Sequence, residues 1–62
     1  MAAKFILYKD NKGEFRWRLR HDNGNIIANG GEGYVDKNGA LNGIQSVREN
    51  APSAIIEDTT QQ

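Results

Sequence analysis

The chain has 62 residues, enough for one small domain that buries a modest share of its surface and therefore favours a partner subunit. Eight Lys and Arg residues balance eight Asp and Glu residues, so the formal net charge is zero, which argues against bulk attraction to nucleic acid or an anionic membrane. A zero net charge is still compatible with one basic face that acids elsewhere balance. The absence of cysteine excludes disulfides and removes the commonest ligand of zinc.

Three strands joined by two tight turns are predicted in the first half of the chain. Residues 4–10, KFILYKD, are rich in strand formers, and the following NKG supplies a glycine where a three-residue hairpin loop needs a left-handed conformation. The segment EFRWRLRHD alternates apolar and polar residues, as a strand with two different faces does. Asn23-Gly24 is a strong signal for a two-residue hairpin turn, after which NIIANG forms the third strand.

The two turns predict the register of this meander. A three-residue first loop places Leu7 opposite Trp17, and a two-residue second loop places His21 opposite Ile26. Both hairpins then put apolar residues on one core face, made of Phe5, Leu7, Phe15, Trp17, Leu19, Ile26 and Ala28. The other face carries Lys4, Ile6, Tyr8, Arg16, Arg18, Arg20, Ile27 and Asn29.

A helix and a fourth strand are predicted in the second half. Asp36 suits the N-cap of the helix, Asn50 suits a left-handed C-cap, and Pro52 ends it. A narrow stripe at helical spacing lets the helix lie close to the Trp17 side of the sheet; it consists of Ala40, Gly43, Ile44 and Val47. The segment SAIIEDT, residues 53–59, then indicates a short strand.

Three fragments, YKDNKGEFRWRLR, NGNIIANGGEGY and KNGALNGIQSVRENAP, together resemble the YegP-like family of small bacterial domains of unknown function. The resemblance covers residues 4–59 and implies a β-β-β-α-β unit. In this family the unit occurs singly or as a tandem pair in one chain, and paired units exchange their C-terminal strands. Because this chain holds one unit and no internal repeat, the resemblance implies a homodimer. The strand inserted into the partner would be Ala54, Ile55, Ile56 and Glu57. The family lends no catalytic residues and no cofactor.

The predicted fold class is therefore α+β, an antiparallel meander with one helix on one face and a C-terminal strand exchanged in a homodimer. We expect a single domain over residues 4–59, with disordered ends at residues 1–3 and 60–62. The apolar run near the N-terminus is too short for a signal peptide or a membrane span, so a cytoplasmic protein without a membrane partner is expected.

A basic face is the main candidate site for a ligand. Arg16, Arg18 and Arg20 project from one strand at every second position, about 6.5–7 Å apart. We define the basic face as Lys4, Tyr8, Arg16, Arg18 and Arg20. Basic groups mixed with a ring are typical of sheet faces that bind single-stranded nucleic acid. The alternative is a solvated strand face whose arginine stems cover Ile6 and Ile27.

Other candidate sites have simpler structural explanations. The glycine run NGGEGY fits neither dinucleotide nor phosphate-loop patterns, and we expect it to end the third strand and to let Trp17 lie against backbone. His21 has no metal or triad partners in the sequence and is expected at the edge of the core face. The scattered acids form no general acid/base pair. The sequence thus predicts a non-enzymatic interaction module without metal or cofactor, with nucleic-acid or polyanion binding as the alternative function.

Overall fold

The computed structural model of the chain describes residues 2–60. It contains three strands, β1 (Ala3–Lys9), β2 (Phe15–His21) and β3 (Ile26–Asn29), and one helix, α1 (Lys37–Asn50), which a short 3-10 helix (Ala51–Ser53) follows directly. The strands form one antiparallel sheet in the order β1-β2-β3, and α1 packs on β1 and β2. The predicted α+β meander with one helix is confirmed.

The first hairpin has the predicted loop and register. Asp10 N donates to Glu14 O at 2.9 Å, and Gly13 adopts a left-handed φ of 83° that a side chain would disfavour. Leu7 therefore pairs with Trp17. The turn is held further by the Asp10 carboxylate, which accepts backbone N–H groups of Lys12 and Glu14 at 2.9 and 3.0 Å.

The second hairpin differs from the prediction. A two-residue type I′ turn needs positive φ at both central residues, but only Gly24 has it, at 96°. The loop is instead one residue longer: His21 N donates to Asn25 O at 2.8 Å. Arg20 consequently pairs with Ile26, and a bulge at Ile27 then sets Leu19 opposite Ala28, the pair that a two-residue loop would also give. The predicted His21–Ile26 pair and the assignment of Ile26 to the core face are wrong.

The core of the chain is small. Among residues 2–60 only Trp17, 7% exposed, and Ala40, which is fully covered, count as buried apolar residues. The Phe5 ring meets the Trp17 ring edge to face, with centroids 5.7 Å apart. Because α1 makes no close approach to β3, the residues of β3 are all exposed.

The helix begins as predicted and ends differently. Asp36 is the N-cap, and its carboxylate accepts the backbone N–H of Gly39 at 2.7 Å. The predicted left-handed C-cap at Asn50 is wrong, since Asn50 keeps a right-handed backbone with φ of −102°. Its side-chain Nδ2 instead donates to the Ser46 carbonyl at 2.8 Å, and the chain continues into the 3-10 helix that contains Pro52.

The ends of the chain also differ from the predicted boundaries. Strand β1 already includes Ala3, and the Ala2 carbonyl accepts the backbone N–H of Asp22 at 2.9 Å. The predicted fourth strand does not form within the described part of the single chain. Residues 54–59 have no regular structure, because no strand among residues 2–60 supplies backbone hydrogen bonds to them. Met1, Gln61 and Gln62 lie outside the described residues, so only part of each predicted disordered end is described.

Candidate functional site

The basic face lies on the side of the sheet that α1 does not cover. Strand pairing sets Lys4 opposite Arg20 and Tyr8 opposite Arg16, while Arg18 lies between the two arginines on β2. The helix packs on the other side, where Trp17 and Ala40 are buried. The five residues chosen from the sequence are therefore neighbours on one surface.

Arg18 and Tyr8 form a stacked pair at the centre of the basic face. The guanidinium carbon of Arg18 lies 4.3 Å from the centroid of the Tyr8 ring. Interaction of the Arg18 guanidinium with the phenol, by hydrogen bonding first and then by charge, lowers the pKa of Tyr8 below its ordinary 10.0, and Arg16 acts in the same direction. The pair presents a planar cation backed by an aromatic ring, at a half-buried position.

Among the described residues, Arg16 is the one cation of the basic face that is paired with an acid. Its Nη1 lies 3.5 Å from Asp10 Oδ2. The pKa of Asp10 is lowered chiefly because its carboxylate accepts the backbone N–H of Glu14, then that of Lys12, with Arg16 contributing less. Asp10 thus serves the hairpin turn first and neutralises the Tyr8 end of the basic face second.

The opposite end of the face keeps its positive charge. Lys4 and Arg20 are exposed, and neither they nor Arg18 forms a salt bridge with a carboxylate within residues 2–60. Ile26, which the bulge brings opposite Arg20, is 46% exposed beside them. The face is therefore cationic toward the Lys4 end, with an apolar side chain nearby.

An apolar groove of about 920 Å³ opens on the other side of the sheet, between β1 and α1. Its lining residues are Ala3, Lys4, Phe5, Leu7, Leu19, Asp22, Leu41, Ile44 and Arg48. The sequence prediction missed this groove. The available signal was the position of Leu41 at the margin of the apolar helical stripe, and the structure shows this side chain to be 43% exposed.

The C-terminal segment chosen from the sequence, Ala54–Glu57, is separate from the sheet. Ile55 and Ile56 are 90% and 94% exposed. Two adjacent isoleucines in water are costly to leave uncovered, because each would gain about 1.5–3 kcal/mol from full burial. The segment thus has apolar surface to bury and no partner for it within the described chain.

The remaining candidates have structural roles. His21 Nδ1 accepts the backbone N–H of Asn23 at 3.2 Å, which braces the second turn. Gly30 lies against the Trp17 ring, as the glycine run predicts. Within residues 2–60, no group of three or more His, Cys, Asp or Glu side chains could hold a metal ion. No helix in this part of the chain has the length and apolar character needed to cross a bilayer.

Comparison with known proteins places the chain in a family. The model of a domain of unknown function, DUF1508, matches residues 10–58. The chain belongs to this DUF1508 family, also known as YegP-like. It is 54% identical over 56 residues to a UPF0339 protein of Treponema denticola, which covers 90% of this chain and 95% of the relative.

Two further YegP-like relatives extend the comparison. A UPF0339 protein in the ptx operon 5′ region of Stutzerimonas stutzeri is 52% identical over 52 residues, and the chain spans only 46% of its length. The NMR solution structure of a protein from Haloferax volcanii superposes with a TM-score of 0.87 at 49% identity, covering 92% of this chain and 95% of that one. The family therefore occurs in archaea as well as bacteria, which corrects the expectation of a purely bacterial family.

Proposed function

We propose that this YegP-like chain is a cytoplasmic, non-enzymatic interaction module that works as a homodimer, in which Ala54–Glu57 of each copy docks on its partner. The observation that carries the proposal is that the chain has two uncovered apolar surfaces of complementary form. Ile55 and Ile56 are almost fully exposed, and an open apolar groove lies between β1 and α1. Burial of the isoleucines in the groove of a second copy satisfies both surfaces.

The edge of the sheet supports the same arrangement. β1 is an outer strand of seven residues, so one row of its backbone groups has no strand partner. An extended segment added along β1 would gain main-chain hydrogen bonds there. Successive side chains of a strand point to opposite faces, so one isoleucine of the pair would enter the groove while the other would cover the opposite face.

Charge is compatible with this docking. The groove lining includes Asp22 and Arg48, and Arg48 is available to pair with Glu57 at the end of the docking segment. The Stutzerimonas stutzeri relative adds an argument from length, because the region similar to this chain occupies about half of it and leaves room for a second unit of equal size. Dimerisation of the present chain would likewise bring two units together.

Sedimentation at low and high protein concentration tests the dimer. We expect a dimer for the native chain and a monomer for the Ile55→Asp/Ile56→Asp double variant. Val35→Asp is the matched control, because Val35 is 88% exposed but belongs to neither the groove nor the segment. A compact native monomer at high concentration would contradict the proposal.

The lack of cysteine allows a direct test of where the segment docks. One chain carries Leu41→Cys at the groove and a second carries Ile56→Cys. After mixing and mild oxidation, we expect a disulfide between the two different chains, with less cross-linking when Val35→Cys replaces Leu41→Cys. A dimer that cross-links equally well in both mixtures would show that the groove is not the docking site.

A second candidate function is polyanion binding through the basic face. The observation that favours it is that Lys4, Arg18 and Arg20 form no salt bridge among the described residues. Binding of inorganic polyphosphate that weakens with salt, and weakens again in Arg20→Glu, is the expected result. An absence of binding at low salt would exclude this function while leaving the dimer proposal intact.

A further inference from the structure

We infer that the basic face binds single-stranded nucleic acid, with the Arg18–Tyr8 stack as a platform for one base and with Arg20 and Lys4 as contacts to the backbone phosphates. This inference rests on the second candidate function above and names its ligand. The assignment rests on the arrangement of groups on the face.

The stacked pair supplies the base contact. Arg18 lies 4.3 Å from the Tyr8 ring centroid, so its guanidinium is held over an aromatic surface rather than moving freely in solvent. Arginine planes and aromatic rings are the groups on which proteins stack unpaired bases. Because the pair already exists in the free chain, a base can dock without first ordering these side chains.

The charges next to the stack fit a phosphate backbone. Asp10 neutralises Arg16 on one side, whereas Arg20, two residues from Arg18 on the other side, is exposed and faces Lys4 across the strands. Alternate residues of a strand are about 6.5–7 Å apart, so a base on Arg18 leaves room for a neighbouring phosphate at Arg20. The unpaired positive charge is thus concentrated at Arg20 and Lys4, and we expect the nucleic-acid backbone to run from the stack toward these two residues.

The shape of the face favours a single strand over a duplex. The surface is a short sheet without a projecting helix or long loop to enter a groove, since α1 lies on the other side. In a duplex the base faces are stacked on one another and cannot reach the Arg18–Tyr8 pair. An acidic polypeptide would satisfy the charges of Arg20 and Lys4 but would leave the stack without a planar partner.

The test measures binding of four labelled probes to the full chain at several salt concentrations. They are oligo(dT), a duplex, an abasic oligonucleotide that has the length and charge of the oligo(dT), and poly-glutamate. We expect oligo(dT) to bind best, with a log–log salt slope of about −1.4 for the two phosphate contacts of Arg20 and Lys4, and Arg20→Gln to reduce the magnitude of that slope by about 0.7. Lys37→Gln, on exposed helix surface, is the control for loss of one charge.

Variants of the stack decide whether a base is recognised. Tyr8→Phe keeps the ring and is expected to bind as the native chain does, whereas Tyr8→Ala is expected to lose roughly 5- to 100-fold toward oligo(dT) and little toward the abasic probe. Circular dichroism verifies that each variant is folded. If Tyr8→Ala is unfolded, Arg18→Lys, which keeps the charge but loses the plane, replaces it with the same expected selectivity.

The outcomes separate the two claims. Equal binding of oligo(dT), the abasic probe and poly-glutamate would overturn the inference while keeping the polyanion function. Preference for the duplex would overturn it as well. An absence of binding to every probe at low salt would overturn both claims, and the sedimentation result on the dimer would be unaffected.

Discussion

Gly30 lies directly against the indole of Trp17: a β-carbon built on Gly30 would come within 2.8 Å of Trp17 Nε1 and 2.9 Å of Cε2. The glycine therefore brings backbone onto the ring, and Gly30 N also donates to the Trp17 carbonyl at 3.1 Å. The end of β3 and the centre of β2 are held together at this point. The packing of the Trp17 ring thus requires a residue without a side chain at position 30.

We predict that Gly30→Ala destabilises the domain, because the added methyl group collides with the largest core side chain. Gly31→Ala is the matched control. Its β-carbon would meet nothing within 4 Å, so this variant should be neutral or slightly more stable through the unfolded state. Thermal unfolding compares the melting temperatures of the two variants, and equal melting temperatures would contradict the contact between Gly30 and the Trp17 ring.

Trp17→Ala should cost about 3–5 kcal/mol, which is enough to unfold a domain with so small a core. Trp17→Phe should cost less, because it keeps a ring and removes a buried indole N–H that has no hydrogen-bond partner among residues 2–60. Urea unfolding measures the free energy of unfolding of both variants. A folded and stable Trp17→Ala variant would show that the core lies elsewhere.

The stability of the domain should fall as pH is lowered through the folded-state pKa of Asp10. Hydrogen bonds to the Asp10 carboxylate lower this pKa below the ordinary 3.8, so the stabilisation is complete above that value and is lost as the carboxylate becomes protonated. Asp10→Asn should be less stable at neutral pH and show a shallower loss of melting temperature at acid pH. Glu32→Gln, which removes an exposed acid outside both the first turn and the groove, is the control for the loss of one negative charge.

Arg18→Ala should raise the pKa of Tyr8 toward its ordinary value, because the interaction with the guanidinium is the largest cause of its lowering. An alkaline titration followed by the NMR signals of the Tyr8 ring measures the change. Arg20→Ala should leave this titration unchanged, since Arg20 is not among the groups that shift it. A Tyr8 pKa that is the same in native and Arg18→Ala chains would mean that the stack does not persist in solution.

The first hairpin and the start of the helix could be predicted because each depends on local chemistry. A glycine at position 13 and a capping acid at position 36 specify the backbone around them, and the alternating pattern of β2 supplies the faces. The second hairpin could not be predicted in the same way. Asn23-Gly24 is compatible with two loop lengths, and the longer loop forms because its side chains bond the turn: Asn23 Oδ1 accepts the Asn25 N–H at 2.9 Å.

Long-range features were beyond local reasoning. Tyr34 pairs with Phe15 through two backbone hydrogen bonds of 2.8 and 2.9 Å, which returns the chain to the sheet after the glycine run. Nothing near Tyr34 in the sequence indicates this contact. The segment at residues 54–59 has strand-forming residues, but a strand requires a neighbour, and local propensity cannot say which surface supplies it.

The alternation of β2 has a consequence for how this family can diversify. Trp17 and Leu19 support the helix side, while Arg16, Arg18 and Arg20 occupy the opposite surface of the same seven residues. Substitutions at the arginine positions change the charge and shape of that surface without touching the Trp17 ring that holds the protein folded. Natural variants and engineered libraries can therefore vary one exposed surface at every second residue of a single strand while keeping the same scaffold.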